Sequence, residues 1–185
     1  MLEIVATKIP DVKLIKSRRF LDARGFFTET YNRKSLVEVG IELDFVQENH
    51  SYSRAAGTIR GMHFQAPPFA QGKLVRVVRG RILDVTVDLR RSARTFGQHV
   101  DVELSAEEGW QLLVPTGFAH GFCTLEPDTD VVYKVTSQYS VEHEHGLAWD
   151  DPALAISWPL DTYTPVLSDK DRCYPHVTEL PHYFD

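Results

Sequence analysis

Gly61-Met62-His63-Phe64-Gln65 and, well downstream, Pro115-Thr116-Gly117-Phe118-Ala119-His120 decide how this chain reads, because each sets a histidine in a β segment of what reads as one barrel. A jelly-roll barrel that binds a metal commonly offers His-x-His with a following Glu in its first motif and Pro-x-Gly-x-x-His in its second. Here Gln65 stands for the second His, and Lys73 falls roughly where the Glu is wanted. A cation there repels a divalent metal, and a hard or borderline metal normally wants three or more protein ligands. The pocket is therefore expected to work without metal or other cofactor, by acid–base or electrostatic chemistry.

The dominant period along the chain is two. Leu83, Val85, Val87 and Leu89 alternate with Asp84, Thr86 and Asp88, and Val131, Tyr133 and Val135 alternate with Val132, Lys134 and Thr136, as in strands with two different faces. Further β-rich runs span 12–20, 26–31, 45–51, 58–65, 73–79, 98–104, 110–114 and 120–125. So many short strands predict an all-β fold, a cupin-type jelly-roll β-barrel. Helical signal is confined to Arg33 to Gly40 and a turn near Ser105-Ala106-Glu107-Glu108. The tail after Trp149, punctuated by Pro152, Pro159, Pro165, Pro175 and Pro181, reads as irregular chain laid over the barrel, so residues 1–185 are expected to form a single domain.

A net charge of −6 argues against nucleic acid or an anionic membrane surface as partner, since both are met by a basic field. The amino terminus lacks a basic segment leading into an apolar one, and nowhere is there an apolar run of about 18 residues, so a cytoplasmic protein is expected. Cys123 and Cys173 have no Cys-x-x-Cys spacing and suggest neither a disulfide framework nor a zinc site. Glu142-His143-Glu144-His145 looks like a metal tract but reads as an exposed turn.

Six segments then carry a resemblance. Arg24-Gly25-Phe26-Phe27-Thr28-Glu29, Phe45-Val46-Gln47-Glu48-Asn49-His50-Ser51, Ile59-Arg60-Gly61-Met62-His63-Phe64-Gln65, Gln71-Gly72-Lys73-Leu74-Val75-Arg76-Val77, Val114 to Phe122 and Leu167-Ser168-Asp169-Lys170-Asp171, in that order, resemble the dTDP-4-dehydrorhamnose 3,5-epimerase family. Ile59, Met62 and Phe64 depart from the commoner Leu, Leu and Tyr but keep volume and polarity, and the tail beyond Pro175 lies outside the shared pattern. The resemblance implies inversion of C3 and C5 of dTDP-4-dehydro-6-deoxy-D-glucose, a dTDP-4-keto-6-deoxyhexose, to dTDP-4-dehydro-L-rhamnose, in dTDP-L-rhamnose biosynthesis. It also implies a homodimer built by exchange of amino-terminal strands.

The residue types agree with that chemistry. A proton α to a ketone can be taken only if the enolate is stabilised, so the site needs a base near neutrality, a cation at the carbonyl oxygen and an acid on the opposite ring face. His63, Lys73 and Tyr133 are those three types. By resemblance Asp171 backs His63; Asp169 and Asp84 are the alternatives, and His120 is expected to donate a hydrogen bond in the pocket. Substrate binding falls, also by resemblance, to Arg24, Glu29, Gln47, Asn49 and Arg60, with Glu144 and Lys170 at the rim and Tyr139 stacking on the thymine. Arg24 and Glu29 are expected to reach the neighbour's pocket.

Arg60 and His63 differ by an odd number of positions, so a regular strand points them to opposite faces; they share a pocket only if Gly57 or Gly61 marks a bulge or the strand begins after Arg60. Two other readings stay open: an epimerase acting on one carbon of a related nucleotide-linked 4-keto sugar, and a non-catalytic sugar-binding cupin.

Overall fold

The computed structural model describes residues 2–161 and 163–185. In chain order its strands are β1 (Leu2–Ala6), β2 (Lys13–Ser17), β3 (Arg19–Asp22), β4 (Gly25–Thr28), β5 (Gln47–Ser53), β6 (Ile59–Gln65), β7 (Lys73–Arg79), β8 (Arg81–Asp88), β9 (His99–Ser105), β10 (Trp110–Val114), β11 (Phe118–Thr124), β12 (Thr129–Val135) and β13 (Glu144–Gly146). One sheet has the order β1-β2-β10-β7-β12-β5 and the other β13-β6-β11-β8-β9, with β3 and β4 forming a hairpin apart from both. This is the jelly-roll type of all-β fold that the alternation predicts.

Three details differ from expectation. The run 12–20 breaks at Arg18, so β3 leaves the sheet to which β2 belongs. β1 was not anticipated. Nor was β13: Glu144 opens a strand paired to β6, and residues 143–145 are half-buried rather than an exposed turn, because Glu144 pairs with Gln65 and His145 with Phe64.

The first core lies between the sheets, where Val75, Val77, Ile82, Leu104, Leu112, Phe118, Phe122 and Val131 meet. A second lies outside β6, β8 and β11, where Met62, Phe64, Val85, Val87, Leu89 and Ala119 pack under Leu147, Leu154 and Val177 of the tail. Covering each such side chain contributes about 1.5–3 kcal/mol, which is why a proline-rich tail with little regular structure stays in place. Both faces of β8 are thus buried. Its polar face must then find partners: Asp88 accepts from Arg90 and Thr95, and Asp84 meets His120.

The expected helix is shorter than its signal, α1 at Arg33–Val37. The Asn32 side chain caps it by accepting from the Lys34 and Ser35 amides, Leu36 buries its apolar face, and Gly40 at φ +79 ends the following turn. Among the described residues no helix is long and apolar enough to cross a membrane.

Candidate active site

His63 and Tyr133 border one cavity of about 500 Å³ from different sheets, His63 on β6 and Tyr133 on β12. Arg60, Lys73, His120, Glu144, Lys170 and Asp171 share its wall. A smaller cleft of about 100 Å³, which adds Gln47, Asn49 and Tyr139, has His63, Lys73, Tyr133 and Glu144 in common with it.

A bulge brings Arg60 and His63 to the same side. His63 pairs with His120 and Arg60 with Phe122, so three steps along β6 match two along β11, and the surplus residue restores the parity. Gly61 lies at this point with φ +144, and a Cβ there would stand 2.5 Å from the Gly121 Cα. Only glycine fits so close an approach in that conformation. The Arg60 guanidinium is held at the cavity by donating to Ser53 Oγ at 3.1 Å and to the Tyr52 carbonyl at 2.8 Å.

The tail supplies the carboxylate. Thr58 and Val166 form a parallel bridge, the Ile59 amide donates to the Val166 carbonyl at 2.9 Å, and the segment after Val166 then runs along the cavity wall. His63 Nε2 donates to Asp171 Oδ1 at 2.6 Å. Burial works to raise the Asp171 carboxyl, but the bond from His63, with Ser168 and Lys170 nearby, outweighs it and holds the group below its ordinary value. With that tautomer the free His63 nitrogen carries a lone pair.

Lys73 crosses the gap between the sheets, its ammonium donating to the His63 carbonyl at 3.1 Å. It is only 6% exposed, and burial pushes it down to about 8 despite the pull of Asp84 and Glu144. Burial likewise raises Tyr133 above the ordinary phenol value, against Arg60 and Asn49. His120 is buried with Nε2 2.9 Å from both Asp84 oxygens, and burial drives it down toward the neutral ring. A neutral His120 that donates Nε2–H to Asp84 keeps only an acceptor, so the donor role expected from the sequence requires the charged ring. Among the described residues no three His, Cys, Asp or Glu side chains converge as a metal ligand set.

Residues 6–179 match the family model described as dTDP-4-dehydrorhamnose 3,5-epimerase. The chain belongs to the dTDP-4-dehydrorhamnose 3,5-epimerase family. A family member from Sinorhizobium fredii (strain NBRC 101917 / NGR234) is 54% identical over 177 residues, 94% of this chain and 88% of the relative. The crystal structure of the enzyme from Bacillus anthracis str. Ames, with TDP and PPi bound, is similar at TM-score 0.92 and 53% identity, covering 95% of this chain and 99% of that one. An epimerase from Legionella pneumophila, in complex with dTDP-4-keto-L-rhamnose, is similar at TM-score 0.93 and 41% identity, covering 98% and 95%. The family match runs to residue 179, a few residues past Pro175, so the shared pattern extends slightly further into the tail than expected.

Of the residues expected at the site, the structure gathers His63, Lys73, Tyr133, Asp171, Arg60, His120, Gln47, Asn49, Tyr139, Glu144 and Lys170 around these two spaces, which share four lining residues. The Tyr139 hydroxyl donates to Glu144 Oε2 at 2.6 Å, and Lys170 pairs with the same carboxylate. Burial tends to raise Glu144, yet Lys170 and Tyr139 together hold it below its ordinary value. Arg24 and Glu29 do not join the cavity of their own chain. Arg24 stands at the tip of the β3–β4 hairpin, 90% exposed and paired with Asp22 at 2.6 Å, and Glu29 is exposed just beyond β4.

The alternatives for backing His63 separate cleanly: Asp84 belongs to His120, and Asp169 is exposed. Sequence reasoning missed Tyr174, whose ring stands edge-on to His63 at 5.6 Å in the space left by Gly146. Its only sequence signal was its place three residues after Asp171.

Proposed function

We propose that this chain inverts C3 and C5 of dTDP-4-dehydro-6-deoxy-D-glucose by proton transfer through an enolate. The observation that carries the reading is the pairing of a carboxylate-held His63 on one sheet with Tyr133 on the other, both bordering the same cavity. In this reading the free nitrogen of His63 takes the proton α to the C4 ketone, and Asp171 stabilises the imidazolium that forms. The Lys73 ammonium meets the enolate oxygen in a dry setting, where charge acts strongly. Tyr133, kept protonated by burial, delivers the new proton to the opposite ring face. Arg60 and Lys170 suit the diphosphate, Arg60 through its planar fork, and Tyr139, 55% exposed at the rim, suits the face of the base.

The active assembly in this proposal is a homodimer. Its support is the β3–β4 hairpin, where Phe20, Leu21, Phe26 and Phe27 are 50–80% exposed beside Arg24. An apolar patch on a projecting hairpin marks an interaction surface, and a two-fold partner would place Arg24 and Glu29 at the other cavity. β2 is already paired to β1 on one side and to the chain's own β10 on the other, and the β3–β4 hairpin belongs to neither sheet, so it is the element that carries Arg24 toward a partner.

Incubation with dTDP-4-keto-6-deoxyglucose in deuterated water, read by NMR, tests the reading. Deuterium at both C3 and C5 with inverted product is the expected result. Label at one carbon only supports the single-carbon reading, and no label with retained binding supports the non-catalytic one.

A further inference from the structure

Strand β5 turns Gln47, Asn49, Ser51 and Ser53 to its less exposed face in succession, so the face that an alternating strand would make apolar is polar throughout. Three of the four engage another residue of the site. Gln47 donates to Asn49 Oδ1 at 2.8 Å and accepts from the Tyr139 amide at 3.0 Å. Asn49 stands directly opposite Tyr133 in the β5–β12 register, and Ser53 Oγ accepts from Arg60 Nε at 3.1 Å. Ser51 is the exception. Its residue borders the cavity, yet its hydroxyl is shielded from solvent and has no hydrogen-bond partner. A shielded hydroxyl without a partner is costly, and a serine hydroxyl can be re-aimed by rotation about χ1.

We propose that Ser51 binds the C2 hydroxyl of the hexose and so helps to set substrate specificity. This rests on the epimerase reading above. Ser51 lies two residues from Asn49, which stands opposite Tyr133, and two from Ser53, which accepts from Arg60. Tyr133 is assigned to the reacting carbons and Arg60 to the diphosphate on C1. Between C1 and C3 lies C2, whose hydroxyl neither reacts nor carries phosphate. A serine hydroxyl donates and accepts and therefore pairs with another hydroxyl, whereas a phosphate at this point would call for a cation. Because C2 is not inverted, a contact there persists through both proton transfers and fixes one edge of the ring while C3 and C5 change hand.

The test is a cycle of two proteins and two substrates: wild type and Ser51→Ala, each with dTDP-4-keto-6-deoxyglucose and its 2-deoxy counterpart, read as kcat/KM for deuterium entry at C5. Each single change should lower kcat/KM roughly tenfold, and the two together no more than either alone. The affinity for dTDP should not change in Ser51→Ala. Its melting temperature should not fall either, because an unpaired hydroxyl has been removed, whereas a purely structural serine would lower it. Losses that multiply, a parallel loss of dTDP affinity, or no loss at all overturn the proposal. Should Ser51→Ala fold poorly, wild type on the two substrates still decides, since an equal rate excludes the contact. A wild type that introduces no deuterium at all marks failure of the epimerase reading; equilibrium binding of the two sugars then tests the Ser51 contact separately.

Discussion

His63 Nε2 and Asp171 Oδ1 stand 2.6 Å apart across 108 positions of sequence, one on a sheet strand and the other on the irregular tail. The pair fixes which imidazole nitrogen is free. Asp171→Asn keeps the shape but offers the wrong hydrogen-bonding partner for an imidazolium, and kcat should drop by on the order of 10²- to 10⁴-fold with little change in fold. Stopped assays with far-UV circular dichroism as a control check this; an Asp171→Asn protein of wild-type rate would remove the base assignment.

The two halves of proton transfer can be separated by isotope. His63→Ala in deuterated water should abolish both exchange and inversion, because no enolate forms. Tyr133→Phe should still form the enolate but quench it poorly on the far face, so exchange should outlive inversion by about 10²- to 10⁴-fold. NMR of the recovered sugar measures both. Wild-type exchange in the His63 variant would reverse the roles.

Lys73 couples activity to pH. In the proposed mechanism its charge is needed at the enolate oxygen, so kcat/KM should decline as pH rises through about 8. The stability effect has the opposite sense. Burial lowers the folded value from 10.5, so the penalty is fully present below about 8 and disappears as pH rises toward the unfolded value. A shift of that size corresponds to about 3 kcal/mol. Lys73→Met should therefore melt above wild type at pH 7 while losing activity, with the gap closing above about pH 10. Thermal melts at the two pH values check the sign.

Hybrid dimers test the proposal that Arg24 completes a neighbour's cavity. Arg24→Ala and His63→Ala proteins, each weak alone, should recover part of the activity when mixed and allowed to exchange subunits, since one of the two sites then has every group. Verified exchange without recovery would show that Arg24 serves no neighbouring site.

Gly61→Ala should cost roughly 2–4 kcal/mol, because the added Cβ meets the Gly121 backbone in a conformation that side chains avoid. Any folded fraction should bind the nucleotide sugar poorly, since relaxing the bulge turns Arg60 or His63 away. Chemical denaturation and substrate titration measure the two effects.

Period two made most strands legible, but it could not say which face met which core. Val85 and Val87 look like barrel interior, yet they face outward under the tail, and the polar face of β8 turns to the inner side with Asp84. β13 escaped notice because Glu144-His145-Gly146 has no apolar alternation; its strand character comes from pairing with β6. The relation of Arg60 to His63 was legible only as a condition, since a bulge changes parity without changing composition. Family resemblance, rather than pattern, marked Asp171. Nothing local marked the Asp84–His120 pair, which depends on β8 and β11 being neighbours.

The reach of the tail across the outer face of β6 has a consequence for synthesis. His63, Lys73 and Tyr133 leave the ribosome well before Asp171, and the strand that carries His63 lacks its outer apolar cover until Leu154 and Val177 are made. A nascent chain can pair its sheets early, yet its imidazole has no carboxylate behind it. In the proposed mechanism, proton-transfer competence would then arrive only with the last layer of packing.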